Sequence, residues 1–237
     1  IGTTQPGISH VFKEKAEIEN TPLFFADQEF RVEYALRSLT GNQILSVSQL
    51  GEKILPGLDL DLLGNYQQKN IPAVLKTCQL LNHKGFNIRD KHLYEGLADA
   101  AQLTGLKGRW QVVGNNPQIV CDTGHNEDGI REIVRQIKQV PYKNLHIVFG
   151  MVNDKDPDKI LKLLPKNAFY YFTKANISRS LDENILAKKA VDYGLKSNAF
   201  SNVQCALNAA KNKAGKNDFI FVGGSTFVVA EILEDLQ

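Results

Sequence analysis

Beyond about residue 105, apolar runs alternate with amphipathic helical patterns, and this alternation constrains the fold more than any other feature. The runs occupy residues 145–149, 168–172 and 219–222. Two helical patterns each place four apolar side chains on one face: Ile130, Ile133, Val134 and Ile137, then Val203, Ala206, Leu207 and Ala210. Strands that are apolar throughout are typical of parallel sheets covered by helices on both faces. The pattern therefore predicts an α/β fold with a Rossmann-like, mostly parallel sheet.

The pattern before residues 104–107 is different and predicts a separate region. Residues 31–38 and 43–49 alternate apolar and polar side chains around Thr40-Gly41-Asn42, as in an antiparallel hairpin. Because Pro72 is tolerated only in the opening turn of a helix, a helix near residues 68–81 is expected to begin close to Asn70. A capped helix at 9–20, a buried strand at 23–26 and a helix at 90–103 complete the prediction. The expected domains are residues 1–105 and 106–237.

Composition excludes several classes of protein. The chain has 237 residues, 43% of them hydrophobic, and a net charge of +2 without a Lys/Arg block, so nucleic acid is not an expected partner. Its three cysteines are far apart, which indicates neither a disulfide framework nor a zinc site and favours the cytoplasm. The run at 219–233 is interrupted by Gly223-Gly224-Ser225-Thr226, and no signal peptide opens the chain, so no membrane association is expected. The start at Ile1, in a segment that resembles a strand edge, suggests part of a longer polypeptide.

A polar turn follows the apolar run Ile119-Val120-Cys121. It reads Asp122-Thr123-Gly124-His125-Asn126 and leads into the helix that contains Ile130. In open α/β sheets ligands bind where a strand ends and a helix begins. Asp122 is suited either to a ribose diol or to capping its own turn, and His125 either to a functional role or to plain solvent exposure. Arg109, a dozen residues earlier, is suited to a phosphate contact or to a solvated surface position.

Two further turns follow apolar runs. Gly223-Gly224-Ser225 precedes a helical pattern at 227–236, and residues 151–156 follow the run at 145–149. Two glycines and a serine before a helix suit an anion held by backbone N–H groups, and they equally suit any tight turn between strand and helix. Since the three turns follow three strands of one predicted parallel sheet, we expect them to converge at one edge. The chain contains neither a P-loop nor a Gly-x-Gly-x-x-Gly motif, so it offers only part of a nucleotide site.

Five short motifs, taken together, resemble one enzyme family. In order they are Gly64-x-Tyr66-Gln67-x-x-Asn70, Gly108-Arg109, Asp122-x-Gly124-His125-Asn126, Asp154-Lys155-Asp156 and Gly224-Ser225. The set is similar to the carboxyl-terminal portion of the folylpolyglutamate synthase / dihydrofolate synthase family, within the Mur ligase superfamily. The opening Ile1-Gly2-x-Thr4-Gln5-Pro6 resembles the segment that follows the modified lysine of this family. Two positions depart from it: Thr123-Gly124 replaces the commoner Gly-Ala, and Tyr66 stands where His is common.

The resemblance implies a role for each site residue. Residues 1–105 would be the end of a P-loop-type α/β ATPase domain, from which Asn70 contacts ATP. Residues 106–237 would be the glutamate ligase domain, from which Arg109 and Asp122 contact ATP. His125 would lie near the reacting centre and Ser225 near the incoming amino acid.

The reaction implied is ATP-dependent formation of an amide bond. A carboxylate of dihydropteroate or folate would become an acyl phosphate, which the amine of L-glutamate then attacks, with Mg²⁺ neutralising the transferring phosphoryl group. The P-loop and the ligands of Mg²⁺ would mostly lie outside this chain, so the chain alone is expected to be inactive. The resemblance also implies a monomer. Two alternatives remain open: a cell-wall Mur ligase and a non-catalytic nucleotide-binding module.

Overall fold

In the computed structural model the chain forms two compact units, Ile1–Leu106 and Lys107–Gln237. The boundary lies one residue beyond the one expected from the sequence. The structure describes residues 1–38 and 41–234, so Thr40 of the predicted hairpin turn and the end of the helix predicted to reach residue 236 lie outside the described residues.

Unit 1 consists of helices around a three-stranded antiparallel sheet with the strand order β1-β2-β3. Its elements, in chain order, are α1 (Ser9–Ile18), a 3₁₀ turn (Ala26–Gln28), β1 (Phe30–Arg37), β2 (Gln43–Gln49), β3 (Glu52–Leu60), a second 3₁₀ turn (Asn65–Lys69), α2 (Ile71–His83), α3 (Asp90–Ala98) and α4 (Ala100–Thr104). The predicted hairpin is confirmed, with Ala35 opposite Leu45. The helix predicted to begin near Asn70 is also confirmed, since Asn70 occupies the position before α2.

The core of unit 1 lies between one face of this sheet and the helices α2 and α3. Apolar residues of β1, β2 and β3 contact two residues of α2, and the cluster comprises Phe30, Leu45, Val47, Leu55, Leu58, Leu60, Ile71 and Leu75. Burial of these side chains is the main force that holds the sheet and helices together.

Several predictions in unit 1 are wrong. Residues 23–25 are irregular and Ala26 begins a 3₁₀ turn, so the strand predicted at 23–26 is absent. Ile1 is not in a strand either. Instead, the amino group of Ile1 donates to the carbonyl of Phe24, and the backbone N–H of Ala26 donates to the carbonyl of Ile1. The helix at 9–20 exists as α1, but Ile8 precedes it and no side chain caps it. The sequence did not predict β3, in which Pro56-Gly57 interrupts the alternation.

The helix predicted at 90–103 is divided into α3 and α4. A carboxylate oxygen of Asp61 accepts a hydrogen bond of 2.8 Å from the backbone N–H of Ala101. This bond satisfies one of the free N–H groups that open a helix, so a new helix can begin at Ala100.

Unit 2 contains a six-stranded sheet with the order β4-β5-β9-β6-β7-β8. The adjacent pairs β5-β9, β9-β6, β6-β7 and β7-β8 are parallel. Strand β4 lies at the edge and is antiparallel to β5. The predicted mostly parallel, Rossmann-like sheet is therefore confirmed. Its elements are β4 (Gln111–Asn115), β5 (Gln118–Asp122), α5 (Glu127–Ile137), β6 (Leu145–Phe149), α6 (Pro157–Leu161), β7 (Phe169–Thr173), α7 (Glu183–Asp192), β8 (Lys196–Phe200), α8 (Val203–Lys213), β9 (Phe219–Gly223) and α9 (Thr226–Glu234).

Both faces of this sheet are buried. Ile119 and Cys121 of β5 belong to a cluster that includes residues of α8 and α9. Val120 lies between them on the strand and is also fully buried, so the opposite face is covered as well. The faces predicted for the helices are largely confirmed: Ile130, Ile133 and Ile137 of α5 are buried, as are all four residues of the α8 face. No helix among the described residues combines the length and apolarity needed to cross a bilayer.

Candidate functional site

Three turns of unit 2 meet at one edge of the sheet. Strands β5, β9 and β6 are adjacent, and in register Gly223 lies beside both Asp122 and Phe149. The backbone N–H of Gly150 donates to the carbonyl of Gly223 over 3.3 Å. The residues after these strands therefore share the carboxyl-end edge of the sheet, and the predicted convergence is confirmed.

The segment Gly108-Arg109-Trp110 lies at the same edge. Because β4 runs antiparallel to β5, the first residue of β4, Gln111, pairs with Cys121 near the end of β5. The backbone N–H of Thr123 donates to the carbonyl of Gly108 over 2.9 Å. Arg109 and Asp122 are thereby placed on neighbouring segments at one edge.

Asp122 is used by the backbone of these two segments. Its side chain belongs to a residue only 1% exposed, and its oxygens accept from the backbone N–H of Trp110 over 2.7 Å and from that of Gly124 over 2.8 Å. Trp110 has a φ of +50°, which is unusual for a residue with a side chain. Asp122 therefore stabilises a strained backbone, which corresponds to the turn-forming alternative for this residue; its contact with ATP stays a prediction.

The strain at Trp110 separates two neighbouring side chains. The indole is buried, with its ring centroid 6.2 Å from those of Phe219 and Phe221 on β9, whereas Arg109 is exposed. One guanidinium N–H of Arg109 donates to the hydroxyl of Thr123. The other guanidinium N–H groups have no acceptor among residues 1–38 and 41–234, so they are available to an anion.

His125 and Asn126 follow at the start of α5. His125 is exposed, with its Nδ1 3.0 Å from the carbonyl oxygen of Thr123. Asn126 accepts from the backbone N–H of Gly129 over 2.8 Å and so caps α5 as expected. The imidazole of His125 is thus accessible at the edge while its neighbour is used for capping.

The turn Gly223-Gly224-Ser225 allows β9 and β6 to approach closely. Gly224 has a φ of +89°, and a Cβ there would lie 2.5 Å from the ring of Phe149 and 2.6 Å from the carbonyl oxygen of Gly150. Only glycine fits this position. Ser225 is buried, and its hydroxyl accepts from the backbone N–H of Phe227 over 3.2 Å, so it caps α9.

The loop between β7 and α7 also reaches this edge, which the sequence did not predict. The backbone N–H of Asn153 donates to the carbonyl of Arg179, and that of Leu181 to the carbonyl of Met151, both over 2.9 Å. The Arg179 guanidinium lies 4.8 Å from the ring centroid of Phe227 in the first turn of α9. No motif marks Arg179; only the topology brings it beside the serine turn.

Asn70 belongs to unit 1. It is exposed at the start of α2, and its side-chain amide donates to Oε1 of Gln67 over 2.7 Å. Nearby, the ring of Tyr66 packs so closely on Gly64 that a Cβ there would lie 2.6 Å from it. Unit 2 therefore brings Arg109, Asp122, His125 and Ser225 to one edge of its sheet, whereas Asn70 lies just before α2 in unit 1.

A metal site was not predicted within the chain. Among the described residues, no group of three or more His, Cys, Asp or Glu side chains is arranged to hold a metal ion. The residues described thus do not fit a Mg²⁺ centre by themselves.

A comparison with protein families bears on this edge directly. Residues 108–226 match the family model described as "Mur ligase, glutamate ligase domain", which spans the segment from Gly108 to the first residue of α9. The chain belongs to the Mur ligase family. The match extends over the four site residues of unit 2 and over all six strands of its sheet.

Similar proteins carry names from the folate branch of this family. A probable bifunctional folylpolyglutamate synthase/dihydropteroate synthase of Haloferax volcanii is 28% identical over 97% of this chain and 27% of its own length. A dihydrofolate synthase/folylpolyglutamate synthase of Bacillus subtilis is 25% identical over 99% of this chain and 53% of its own length. The chain thus spans about half the length of the Bacillus subtilis relative and about a quarter of the length of the Haloferax volcanii relative.

Solved structures share the fold. Mycobacterium tuberculosis folylpolyglutamate synthase complexed with ADP superposes with a TM-score of 0.81 at 22% identity, covering 98% of this chain and 52% of that protein. E. coli FolC in complex with DHPP and ADP superposes with a TM-score of 0.77 at 22% identity, covering 94% of this chain and 50% of that protein. The predicted resemblance to the folylpolyglutamate synthase / dihydrofolate synthase family is confirmed.

Proposed function

We propose that this chain is the carboxyl-terminal part of an ATP-dependent ligase that adds L-glutamate to dihydropteroate, to folylpolyglutamate, or to both. The observation that carries this proposal is the family match over residues 108–226. This segment contains the accessible guanidinium of Arg109 and the turn Gly223-Gly224-Ser225, which lie at the same edge of the sheet. The relatives named for this activity align with nearly the whole chain.

The reaction requires the ATP to convert a carboxylate into a better acyl donor. An ionised carboxylate resists attack by an amine, so one oxygen is first phosphorylated, and the amine of glutamate then displaces phosphate. Two anions must therefore be held: the phosphates of ATP and the carboxylates of glutamate.

Arg109 is suited to the nucleotide phosphates. Its guanidinium lies at the exposed edge and has N–H groups without an acceptor among the described residues, and a guanidinium forms paired hydrogen bonds with phosphate oxygens. Asp122 acts mainly by holding in place the backbone of Trp110, which follows Arg109, and that of Gly124 in its own turn. Asn70 is the proposed contact with the nucleotide from unit 1.

Ser225 and His125 are the proposed residues on the glutamate side. Ser225 accepts a hydrogen bond from the backbone at the start of α9, where N–H groups favour an anion such as a carboxylate. His125 presents an accessible imidazole that is able to exchange a proton with an amine. A solved structure of a bifunctional folylpolyglutamate synthase/dihydrofolate synthase has Mn, AMPPNP and L-glutamate bound, and it supports a nucleotide, a divalent metal and glutamate as ligands. Since no group of three or more His, Cys, Asp or Glu side chains among the described residues is arranged to hold a metal ion, most ligands of the divalent metal would lie outside this chain.

The test is to express the longest open reading frame that contains this chain and to measure ADP release that depends on L-glutamate. We expect release with dihydropteroate, with a folate, or with both, and no turnover by the 237-residue chain alone. Turnover only with a UDP-linked muramoyl peptide would favour the cell-wall alternative, which a 22% identical diaminopimelate ligase of Listeria innocua keeps in view. Nucleotide binding without turnover on any of these substrates would favour the non-catalytic module.

A further inference from the structure

A small cavity lies at the amino-end edge of the sheet in unit 2, at the opposite end of the parallel strands from the turns described above. It measures about 210 Å³ and lies among the first residues of β7 and β8 and the last residue of α8. Phe169, Lys196, Ser197, Asn198 and Lys213 are among its lining residues. Nothing in the proposed ligase reaction uses this edge.

Strand register explains why two lysines meet in this cavity. Phe169 pairs with Lys196, and Tyr171 with Asn198, and residues paired across parallel strands share a face of the sheet. Phe169 and Tyr171 pack in the cluster that includes residues of α8, so this is the face that α8 covers. Lys213, the final residue of α8, closes the cavity from above.

The two lysines carry positive charge that the protein does not neutralise. Within the described residues, neither Lys196 nor Lys213 has a carboxylate within ion-pair distance, and no acidic residue lines the cavity. The ammonium of Lys213 lies 3.9 Å from the ring centroid of Phe169, an attractive contact that fixes its position. The cavity thus has two cationic groups and no anion.

The wall behind Phe169 is rigid. The ring of His146 stacks on Phe169 with centroids 5.5 Å apart, and its two nitrogens lie 3.0 Å from the Tyr171 hydroxyl and 3.4 Å from an Asp218 oxygen. Burial lowers the pKa of His146, so the ring stays neutral. The Asp218 carboxylate accepts from the backbone N–H groups of Gly215 and Asn144, and within the described residues it forms no ion pair with either lysine.

We propose that this cavity binds a small anion with at least two negative charges, of the phosphate or dicarboxylate class. Each lysine would contact one anionic group, and Asn198, on the same face of the sheet as Lys196, supplies a neutral hydrogen-bonding group to the same ligand. Pockets for drug-sized ligands usually measure about 300–1,000 Å³. The volume of about 210 Å³ therefore suits a compact anion rather than a nucleotide.

The test is titration of the 237-residue chain with inorganic phosphate and, separately, with succinate, at low ionic strength, followed by amide NMR shifts and calorimetry. We expect saturable shifts at residues 169–171 and 196–198, and the anion that binds more tightly identifies the source. Lys196→Gln and Lys213→Gln should each weaken binding by about fivefold or more, because each removes a charged hydrogen bond.

Lys188→Gln is the matched control, because it removes the same charge from an exposed position on α7 away from the cavity. It should change affinity by less than about twofold, as expected for a distant surface charge screened by solvent. Equal weakening by Lys188→Gln, shifts confined to residues 122–126 and 223–226, or no saturation with either anion would overturn the proposal. Unchanged melting temperatures show that the variants remain folded, and the ligase assay is independent of this result.

Discussion

Polar side chains at the two edges of the parallel sheet in unit 2 differ in their hydrogen-bond partners. At the carboxyl-end edge, Asp122, Asn126 and Ser225 each accept hydrogen bonds from nearby backbone N–H groups. At the amino-end edge, the ring of His146 lies between the side chains of Tyr171 and Asp218, and Asp218 also accepts from the backbone N–H groups of Gly215 and Asn144. At the carboxyl-end edge, side chains therefore fix the backbone of the turns, whereas at the amino-end edge hydrogen bonds between side chains link neighbouring strands.

This difference shows why the carboxyl-end edge is suited to chemistry. Side chains that fix tight turns leave glycine-rich backbone and groups such as Arg109 and His125 exposed at that edge. The side-chain network at the amino-end edge instead stiffens the start of the strands and leaves Lys196 and Lys213 without a carboxylate partner among the described residues.

The largest expected effect comes from the turn after β9. Gly224→Ala should lower the free energy of unfolding of unit 2 by about 3–5 kcal/mol, since it combines a left-handed backbone with a severe clash. Gly194→Ala is the control: its φ is +70°, but nothing lies within 4 Å of the new Cβ, so the loss should be only about 1–2 kcal/mol. Urea denaturation measures both. Equal losses would mean that backbone conformation, rather than close packing of β9 against β6, makes glycine necessary.

Asp122 should have the next largest effect. Asp122→Ala removes the acceptor of one buried and one partly buried backbone N–H group, which should cost about 2–4 kcal/mol of unfolding free energy. Asp156→Ala removes an exposed helix cap, in which the carboxylate accepts from Asp158, and should cost about 1 kcal/mol. If Asp122→Ala reduces nucleotide binding in the longer protein without this loss of stability, the residue contacts the ligand directly and its proposed positioning role is wrong.

The amino-end edge predicts a dependence of stability on pH. Because burial lowers the pKa of His146 in the folded state, the unfolded chain takes up the proton first as the pH falls through its ordinary value of about 6.5. The unfolding free energy of unit 2 should therefore decrease between pH 7.5 and 5.5.

The variant His146→Gln isolates this effect, because glutamine does not titrate there. Urea denaturation at the two pH values should show a smaller decrease in the variant. The pKa of Asp218 lies below its ordinary value because N–H donors outweigh the opposing effect of burial, so its contribution is lost only in more acidic solution. An unchanged pH dependence in His146→Gln would assign the decrease to another group.

The smallest effect on stability is expected at Arg109. Its exposed guanidinium makes one hydrogen bond, to Thr123, so Arg109→Ala should change the unfolding free energy by less than about 0.5 kcal/mol. In the longer protein, the same variant should raise the ATP concentration needed for half-maximal rate by about tenfold, as for loss of a charged phosphate contact. Arg131→Ala, which removes an exposed ion pair with Glu127, serves as the control. Unchanged kinetics in Arg109→Ala would contradict the proposed phosphate contact.

The parallel sheet could be predicted from the sequence because its strands are apolar along their whole length. The same reasoning located Asp122 and Gly224 at one edge, since parallel strands must end together. It did not find β3, whose Pro56-Gly57 breaks the alternation, or the end of α3, which depends on Asp61 some forty residues earlier. Local patterns miss features that are fixed by contacts distant in sequence.

The site shows the same limit at the level of single residues. Turn residues and helix caps follow from local chemistry, so Asn126 was predictable as the cap of α5. The sequence left two alternatives for Asp122, because only the fold brings the N–H of Trp110 to its carboxylate. Arg179 and the lysine cavity depend on strand order and register, which no single segment contains.

Each parallel strand of unit 2 has five residues, from β5 to β9. At about 3.3 Å per residue, the two ends of the sheet are only some 13 Å apart along a strand. Even so, each end has its own set of connecting loops. Adding one residue within a strand would move the side chains beyond it to the opposite face of the sheet, so changes of length have to be absorbed by the connecting loops. The loops at one end of the sheet can therefore change in length or sequence without altering the loops at the other end.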